Sequence, residues 1–357
     1  MKIVVLGGGI STERQVSLVT AGSVCRALRE RGHQAVFVDL YLGLEDAPED
    51  LSSLFDAPDG RCGAAEIARS APDLDAVRAS RRWQSPSRIG RGVLELCQLA
   101  DCVFLGLHGA DGEDGKIQAA LELLGVPYTG SGPLASAVAM DKAMSKRVME
   151  ANGIRTPAWQ ELRYTEAEIP ALARTLPLPC AVKVVNGGSS IGVALPETRE
   201  ELAQALREML PFGERVVVEE KISGRELTVP VLDNAALCPI EIVPPEGGSF
   251  DYVAKYQSGS EGALELCPAP ITADERALLS ETALKLHRAL GLSVYSRTDF
   301  LLDAQGRAWC LEANNLPGMT PASLIPKAAA EAGIGYGELC EKIVLLSLSA
   351  RRAETGR

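Results

Sequence analysis

The sequence predicts an α/β protein of two or three domains that opens on a parallel sheet. Three observations carry this. Short β-branched runs alternate with helix-spaced segments through the first third of the chain. Later strands recur in pairs joined by turns. The length, 357 residues, exceeds one ordinary domain.

Residues 2–6 (KIVVL) form the first expected strand, ending in Gly7, Gly8 and Gly9. A helix follows over 16–28, where Val16, Val19, Val24 and Leu28 recur at helical spacing. Gln34–Asp39 (QAVFVD) and 102–107 (CVFLGL) are the next strands, and 117–124 a helix. Residues 41–90 are irregular and rich in Asp, Pro, Gly and Arg. They are too long for a plain loop and read as an insertion with some helix of its own. From about Ser131 a second region carries a helix over 140–152, a linker at 154–157, strands at 181–185 and 191–195, and a helix over 199–210. A third has strands at 215–219 and 226–232, a long loop over 244–270 and a helix over 274–290. Strands at 295–302 and 308–312 and helices near Ala328 and over 336–347 close it. The expected division is 1–130, 131–217 and 218–357.

Composition removes several classes. Lys and Arg number 36 against 47 Asp and Glu, a net charge of −11, so a diffuse nucleic-acid-binding face is not expected. No apolar run reaches the ~20 residues of a membrane span. The N-terminus reads as a buried first strand rather than a signal peptide, which points to a cytoplasmic protein. Nine Cys, among them Cys25, Cys97, Cys180 and Cys310, lie scattered with no CxxC pair, beside three His. Buried free thiols are expected, not a zinc site or a disulfide framework.

Glycine-rich turns follow strands at 7–9, 109–115 and 187–188, where backbone N–H groups could approach an anion. A dinucleotide fingerprint starting at Gly7 fails at Thr12, and a P-loop ending at Lys116 fails at Ala110 and Ile117. Any one of these turns is also a plain strand–helix connection. The acids are more telling. Asp303–Arg307 reads as a hairpin turn, which sets Asp299 and Glu312 on neighbouring antiparallel strands. Glu312 and Asn314, two apart, share a face. Hard oxygens in this pattern suit Mg²⁺, and acids inside apolar strands cost stability without a cation. Lys183, flanked by Val182, Val184 and Val185, is a lysine expected to be buried; Lys142 starts a helix and Lys255 lies in the long loop. Glu219 and Glu226 bound apolar strands, as a nucleotide's base and ribose would need.

Taken together, GGGISTERQVSL (7–18), HGADGEDGKIQ (108–118), PYTGSG (127–132), MDK (140–142), GSSIG (188–192), DYVAKY (251–256), SRTDF (296–300) and EANNLPGMTPASL (312–324) resemble the D-alanine–D-alanine ligases of the ATP-grasp superfamily. The resemblance spans nearly the whole chain. It implies an N-terminal parallel α/β domain followed by two α+β ATP-grasp subdomains, and condensation of two D-alanines through a D-alanyl phosphate for peptidoglycan precursor synthesis. It implies ATP contacts from Lys142, Lys183, Ser190, Glu219, Ile222, Glu226 and Lys255. Two Mg²⁺ ions, replaceable by Mn²⁺, would be held by Asp299, Glu312 and Asn314. Glu13, Ser189 and Tyr256 would form a triad gripping the first D-alanine, with His108 near its carboxylate. Arg297 and the Gly318 N–H would stabilise the acyl phosphate and tetrahedral intermediate. Ser323 and Leu324 would hold the second D-alanine, and the loop over 244–270 would be the lid. The resemblance further implies a homodimer without nucleic-acid or membrane partners. D-serine, one hydroxyl larger, is the alternative acceptor.

Overall fold

The computed structural model describes residues 1–63, 72–187, 192–244 and 263–355. Three sheets organise the described residues. In the first, β1 (Lys2–Gly7) lies between β2 (Gln34–Asp39) and β3 (Cys102–Leu105), parallel to both. Its strands are buried almost throughout, as expected for a parallel sheet covered on both sides. Helix α1 (Arg14–Glu30) packs on β1 and β2. The insertion contributes α2 (Leu74–Ser80), and α3 (Val93–Gln98) leads into β3.

One disulfide corrects the expectation that all the thiols are free. Cys25, on α1, forms a disulfide with Cys62 of the insertion. The insertion is drawn onto the first sheet and α1 by Phe37 N donating to Gly60 O (2.9 Å) and by Arg29 and Arg26 donating to the carbonyls of Ala57 and Cys62. The other seven cysteines are free. Burial pushes the Cys97 and Cys102 thiols up to about 12.

After α4 (Lys116–Leu123), the helix expected over 140–152 is two helices, α5 (Pro133–Met140) and α6 (Lys142–Ala151). Asp141 divides them. Its backbone is extended and its carboxylate accepts from Met144 N, so it ends one helix and caps the next. Proline at the first position starts α5 without losing a needed donor.

The second sheet has the order β4-β7-β5-β6, all antiparallel. Its members are β4 (Trp159–Arg163), β5 (Cys180–Val184), β6 (Val193–Ala194) and β7 (Arg215–Glu220). The expected break at 217/218 lies inside β7, which pairs on both sides within this sheet. Helices α7 (Ile169–Thr175) and α8 (Arg199–Met209) cover one face, burying Ile169, Ala173, Leu202 and Leu206 against Val182, Val184, Val216 and Val218.

The third sheet runs β11-β10-β8-β12-β13, with β9 beside β8. Its strands are β8 (Arg225–Leu232), β9 (Ala235–Ala236), β10 (Ile240–Val243), β11 (Leu264–Leu266), β12 (Tyr295–Leu302) and β13 (Ala308–Asn314). Helix α9 (Ala273–Ala289) buries Leu279, Ala283 and Leu286 against Leu227, Val229 and Phe300. After α10 (Leu324–Glu331), the long α11 (Tyr336–Thr355) returns to α1. There Leu339, Ile343 and Val344 complete the core of the first sheet. Among the described residues no helix is long and apolar enough to cross a membrane.

Candidate active site

Strand alternation gives the third sheet two unlike faces. Odd-numbered side chains on β8 and even-numbered ones on β12 enter the core under α9. The opposite face carries Glu226 and Thr228 on β8, Arg297 and Asp299 on β12, and Glu312 and Asn314 on β13. Register confirms the grouping. Asp299 pairs with Glu312 and with Thr228, Arg297 with Asn314, and Leu301 with Glu226. A shift in pairing after Asp299 keeps both acids on this face. The juxtaposition inferred from the hairpin turn is therefore present.

On that face Arg297 makes a two-pronged contact with Asp299, Nε to Oδ1 at 2.9 Å and a terminal nitrogen to Oδ2 at 2.8 Å. Thr228 donates to Asp299 Oδ1 (2.6 Å). Asn314 Oδ1 accepts from Leu316 N (3.0 Å). Among the described residues no group of three or more His, Cys, Asp or Glu clusters as a metal cage. Two carboxylates and an amide fit Mg²⁺ nonetheless, because that ion keeps several waters and takes few protein oxygens.

The second sheet repeats the pattern. The face opposite α7 and α8 carries Lys183 on β5 and Glu219 on β7, with α6 lying over them. Glu219 is 2 % exposed. Its Oε2 lies 3.1 Å from Lys183 Nζ, and its Oε1 lies 3.2 Å from Nζ of Lys146. Burial presses the Lys183 ammonium down, but Glu219, Glu312 and Glu226 outweigh it and hold its pKa above the ordinary lysine value. Lys146, itself 1 % exposed, is pushed below that value by burial, partly offset by Glu219.

Lys142 joins the two sheets. The start of α6 is sewn to the end of β5 by Lys142 N donating to Val185 O (3.0 Å) and a bridge between Asp141 and Asn186. This aims Lys142 Nζ at Gly187 O (2.6 Å) and at Glu312 Oε2 (3.2 Å). The cleft thus has cations from the second sheet side and acids from the third.

Glu13 and His108 sit elsewhere, past the carboxyl ends of β1 and β3, where open α/β sheets bind ligands. Glu13 begins α1 and is 4 % exposed; His108 is 5 % exposed. Ser11 Oγ donates to His108 O (2.8 Å), His108 Nε2 lies 3.2 Å from Thr20 Oγ1, and His108 Nδ1 lies 3.6 Å from Glu113 Oε1. Gly109 has φ +71°, and a Cβ there would stand 3.0 Å from Glu13 Oε2. The two glycine turns therefore meet over Glu13. Asn315 Nδ2 donates to Glu113 O (3.3 Å), linking this loop pair to the end of β13.

Gly318 and Ser323 are adjacent, since a Cβ on Gly318 would lie 2.9 Å from Ser323 Oγ. Ser323 precedes α10, and Leu324 is buried with Ile240, Ile242 and Ala328. Ile222 is half-buried between β7 and β8. Ser189, Ser190, Lys255 and Tyr256 lie outside the described residues. Lys146 went unrecognised in the sequence because a lysine on an amphipathic helix reads as solvated; its place one turn after Lys142 was the available signal.

A family model described as the D-ala D-ala ligase N-terminus matches residues 2–131, and one described as the D-ala D-ala ligase C-terminus matches 148–345. The chain belongs to the D-alanine–D-alanine ligase family. It is 42 % identical to the D-alanine–D-alanine ligase of Pediococcus pentosaceus over 347 residues, covering 97 % of each chain. Against that of Lacticaseibacillus casei it is 38 % identical, covering 96 % of this chain and 95 % of the relative. Among solved structures it is similar to the Bacillus anthracis D-alanine–D-alanine ligase complexed with ATP, with TM-score 0.71, 29 % identity and 99 % of each chain covered. The Coxiella burnetii ligase gives TM-score 0.72 at 27 % identity, covering 100 % of this chain and 96 % of that one. The ATP-grasp architecture expected from the motifs is thereby established, an α/β chain with a parallel N-terminal sheet and two antiparallel sheets.

Proposed function

We propose that the chain joins two D-alanines with ATP, releasing ADP and phosphate, for peptidoglycan precursor synthesis in the cytoplasm. The observation that carries this reading is the cleft itself: Lys142 and Lys183 facing Asp299, Glu312 and Asn314 across two sheets. A carboxylate is a poor electrophile, and phosphoryl transfer from ATP turns it into an acyl phosphate with a good leaving group. Charge then builds on phosphate oxygens, so placed cations dominate the catalysis. Lys142 and Lys183 hold the α- and β-phosphates, Glu219 faces the adenine amine and Glu226 the ribose, with Ile222 beside the base. Lys255 reaches the γ-phosphate.

Asp299, Glu312 and Asn314 would hold two Mg²⁺, which neutralise charge on the transferring phosphoryl group, and Mn²⁺ would serve in their place. Arg297, now fixed by Asp299, is aimed to stabilise the acyl phosphate and the oxyanion formed when the second amine attacks, together with the Gly318 N–H. Glu13 receives the first substrate's ammonium, with Ser189 and Tyr256, and His108 lies near its carboxylate. Ser323 and Leu324 hold the second carboxylate. The segment between β10 and β11, shorter than the loop expected over 244–270 because Leu264–Leu266 pairs with β10, carries Tyr256 and excludes water that would hydrolyse the intermediate. In this reading residues 1–130 serve the first D-alanine, the second and third sheets grip ATP between them, and the active unit is a homodimer.

Phosphate release coupled to dipeptide detection tests it. With ATP and Mg²⁺, D-alanine alone should release phosphate and yield D-alanyl-D-alanine, while L-alanine should not. Absence of both products with D-alanine sinks the reading. A faster reaction when D-serine is added would move the acceptor to D-serine.

A further inference from the structure

Lys146 lies on α6 four residues after Lys142, so both ammoniums project from one helical face toward the cleft. Lys142 reaches Glu312 (3.2 Å), whereas Lys146 is sealed from solvent. Its Nζ donates to Thr156 Oγ1 (2.7 Å) and stands 3.2 Å from Glu219 Oε1. Lys183 stands on the opposite oxygen at 3.1 Å. One buried carboxylate is therefore gripped from two sides, by the sheet beneath it and by the helix above it.

A buried ammonium is an expensive way to stabilise a fold. Apolar replacement of a buried ion pair is often neutral or better. Lys183 alone already compensates the charge of Glu219. What a second ammonium adds is orientation: with one anchor a carboxylate can turn about its last side-chain bond, and with two it cannot. Lys146 holds the buried Oε1 by charge at 3.2 Å and not by a hydrogen bond, so among the described residues that oxygen keeps its acceptor capacity.

We propose that Lys146 is a positioning residue that fixes the Glu219 carboxylate for recognition of the adenine amine, itself held in register by Thr156. This rests on the reading that Glu219 faces the adenine. The selectivity acts at the base: inosine triphosphate carries a carbonyl where adenine carries its amine, and a carboxylate locked in place repels that carbonyl.

Steady-state kinetics with ATP and with inosine triphosphate test it on the full chain. The set is wild type, Lys146→Met, Lys146→Arg, Thr156→Val, Glu219→Gln and the double variant Lys146→Met/Glu219→Gln. Wild type should prefer ATP. Lys146→Met should lower that preference roughly tenfold, within the range of coupling between contacting residues. The loss should appear in KM rather than kcat. Lys146→Arg should recover part of it, and Thr156→Val should shift it in the same direction by less. In the Glu219→Gln background Lys146→Met should change the preference no further.

If Lys146→Met keeps the wild-type preference while Glu219→Gln loses it, the positioning role is wrong and the adenine assignment survives. If Glu219→Gln also keeps it, the adenine assignment fails and Lys146 has nothing to position. Should Lys146→Met fail to fold, Thr156→Val decides: an unchanged preference there overturns the proposal.

Discussion

Glu13 and His108 stand in loops beyond the ends of parallel strands, whereas Lys183, Glu219, Asp299 and Glu312 stand within antiparallel ones. The difference follows from what covers each sheet. The first sheet is buried on both faces, so a functional side chain has room only past the strand ends. The second and third are covered throughout on one face, by α7 and α8 and by α9; the other face is covered only in part, by α6 and α10, and keeps its polar side chains at the cleft. Loop residues depend on turn geometry; face residues depend on register. Each dependence can be attacked separately.

The largest effect should come from the open face. Glu312→Gln keeps the side chain's shape but removes a charge set against Asp299 and Lys142. We expect kcat to fall by at least ~10²–10³, the loss seen when one electrostatic contact to a transition state is removed. The unfolding transition should stay near that of wild type. Retained turnover would remove Glu312 from the catalytic face.

The covered face of the same sheet should respond in stability instead. His287 on α9 is 1 % exposed, and its Nδ1 lies 2.7 Å from Ser296 Oγ. Burial, with the neighbouring Arg288, lowers its pKa from 6.5 to about 4. The folded chain thus keeps this ring neutral where the unfolded chain protonates it. Its contribution is fully present above pH 6.5 and is lost as pH falls toward 4. The loss amounts to about 3 kcal/mol. Denaturant unfolding of wild type and His287→Gln across that window should show a steeper acid loss in wild type. Parallel curves would mean the ring is not buried neutral.

These faces were partly legible in advance. Runs such as RVVVEE and TDFLLD announce strands, and the turn at Asp303–Arg307 fixes how β12 and β13 pair, so the acids could be placed together from sequence alone. Asp303 secures that turn by accepting from Gln305 N and Arg307 N. Other elements gave weak local signals. β4 reads WQELR, an edge strand with no buried residue, and α5 is a short alanine-rich segment. The return of α11 to the first core and the Cys25–Cys62 pairing are long-range contacts that periodicity does not encode. Lys146 was hidden because its burial depends on α6 lying over the second sheet.

The loops should show a middling and selective effect. Gly109→Ala forces a side chain at φ +71° and points its Cβ at Glu13 and Ser11. A non-glycine residue held there costs ~1–3 kcal/mol, which displaces Glu13 if the loop yields instead. We expect KM for the first D-alanine to rise roughly tenfold or more, with ATP affinity unchanged. Equal losses on both substrates would mean that loop and face are one mechanical unit.

The smallest effect tests the insertion. Arg81, 1 % exposed, stacks on Tyr41 (4.5 Å) and Trp83 (4.8 Å) and donates to the carbonyls of Ser87 and Ile89. That organisation presents Arg88, whose Nε donates to Asp111 Oδ1 at 2.7 Å. The other oxygen of Asp111 accepts from Ile10 N, in the turn that leads to Glu13. The insertion thus braces the loop that carries Glu13 through one carboxylate. Arg88 is half-exposed, so the pair contributes little to stability, ~1 kcal/mol at most. Arg88→Ala should therefore leave the melting temperature nearly unchanged and raise KM for D-alanine by a few-fold at most, sparing ATP. The effect should be mimicked in wild type by raising salt, which screens the exposed guanidinium. A loss confined to ATP would show that the brace serves the strand faces rather than the loops.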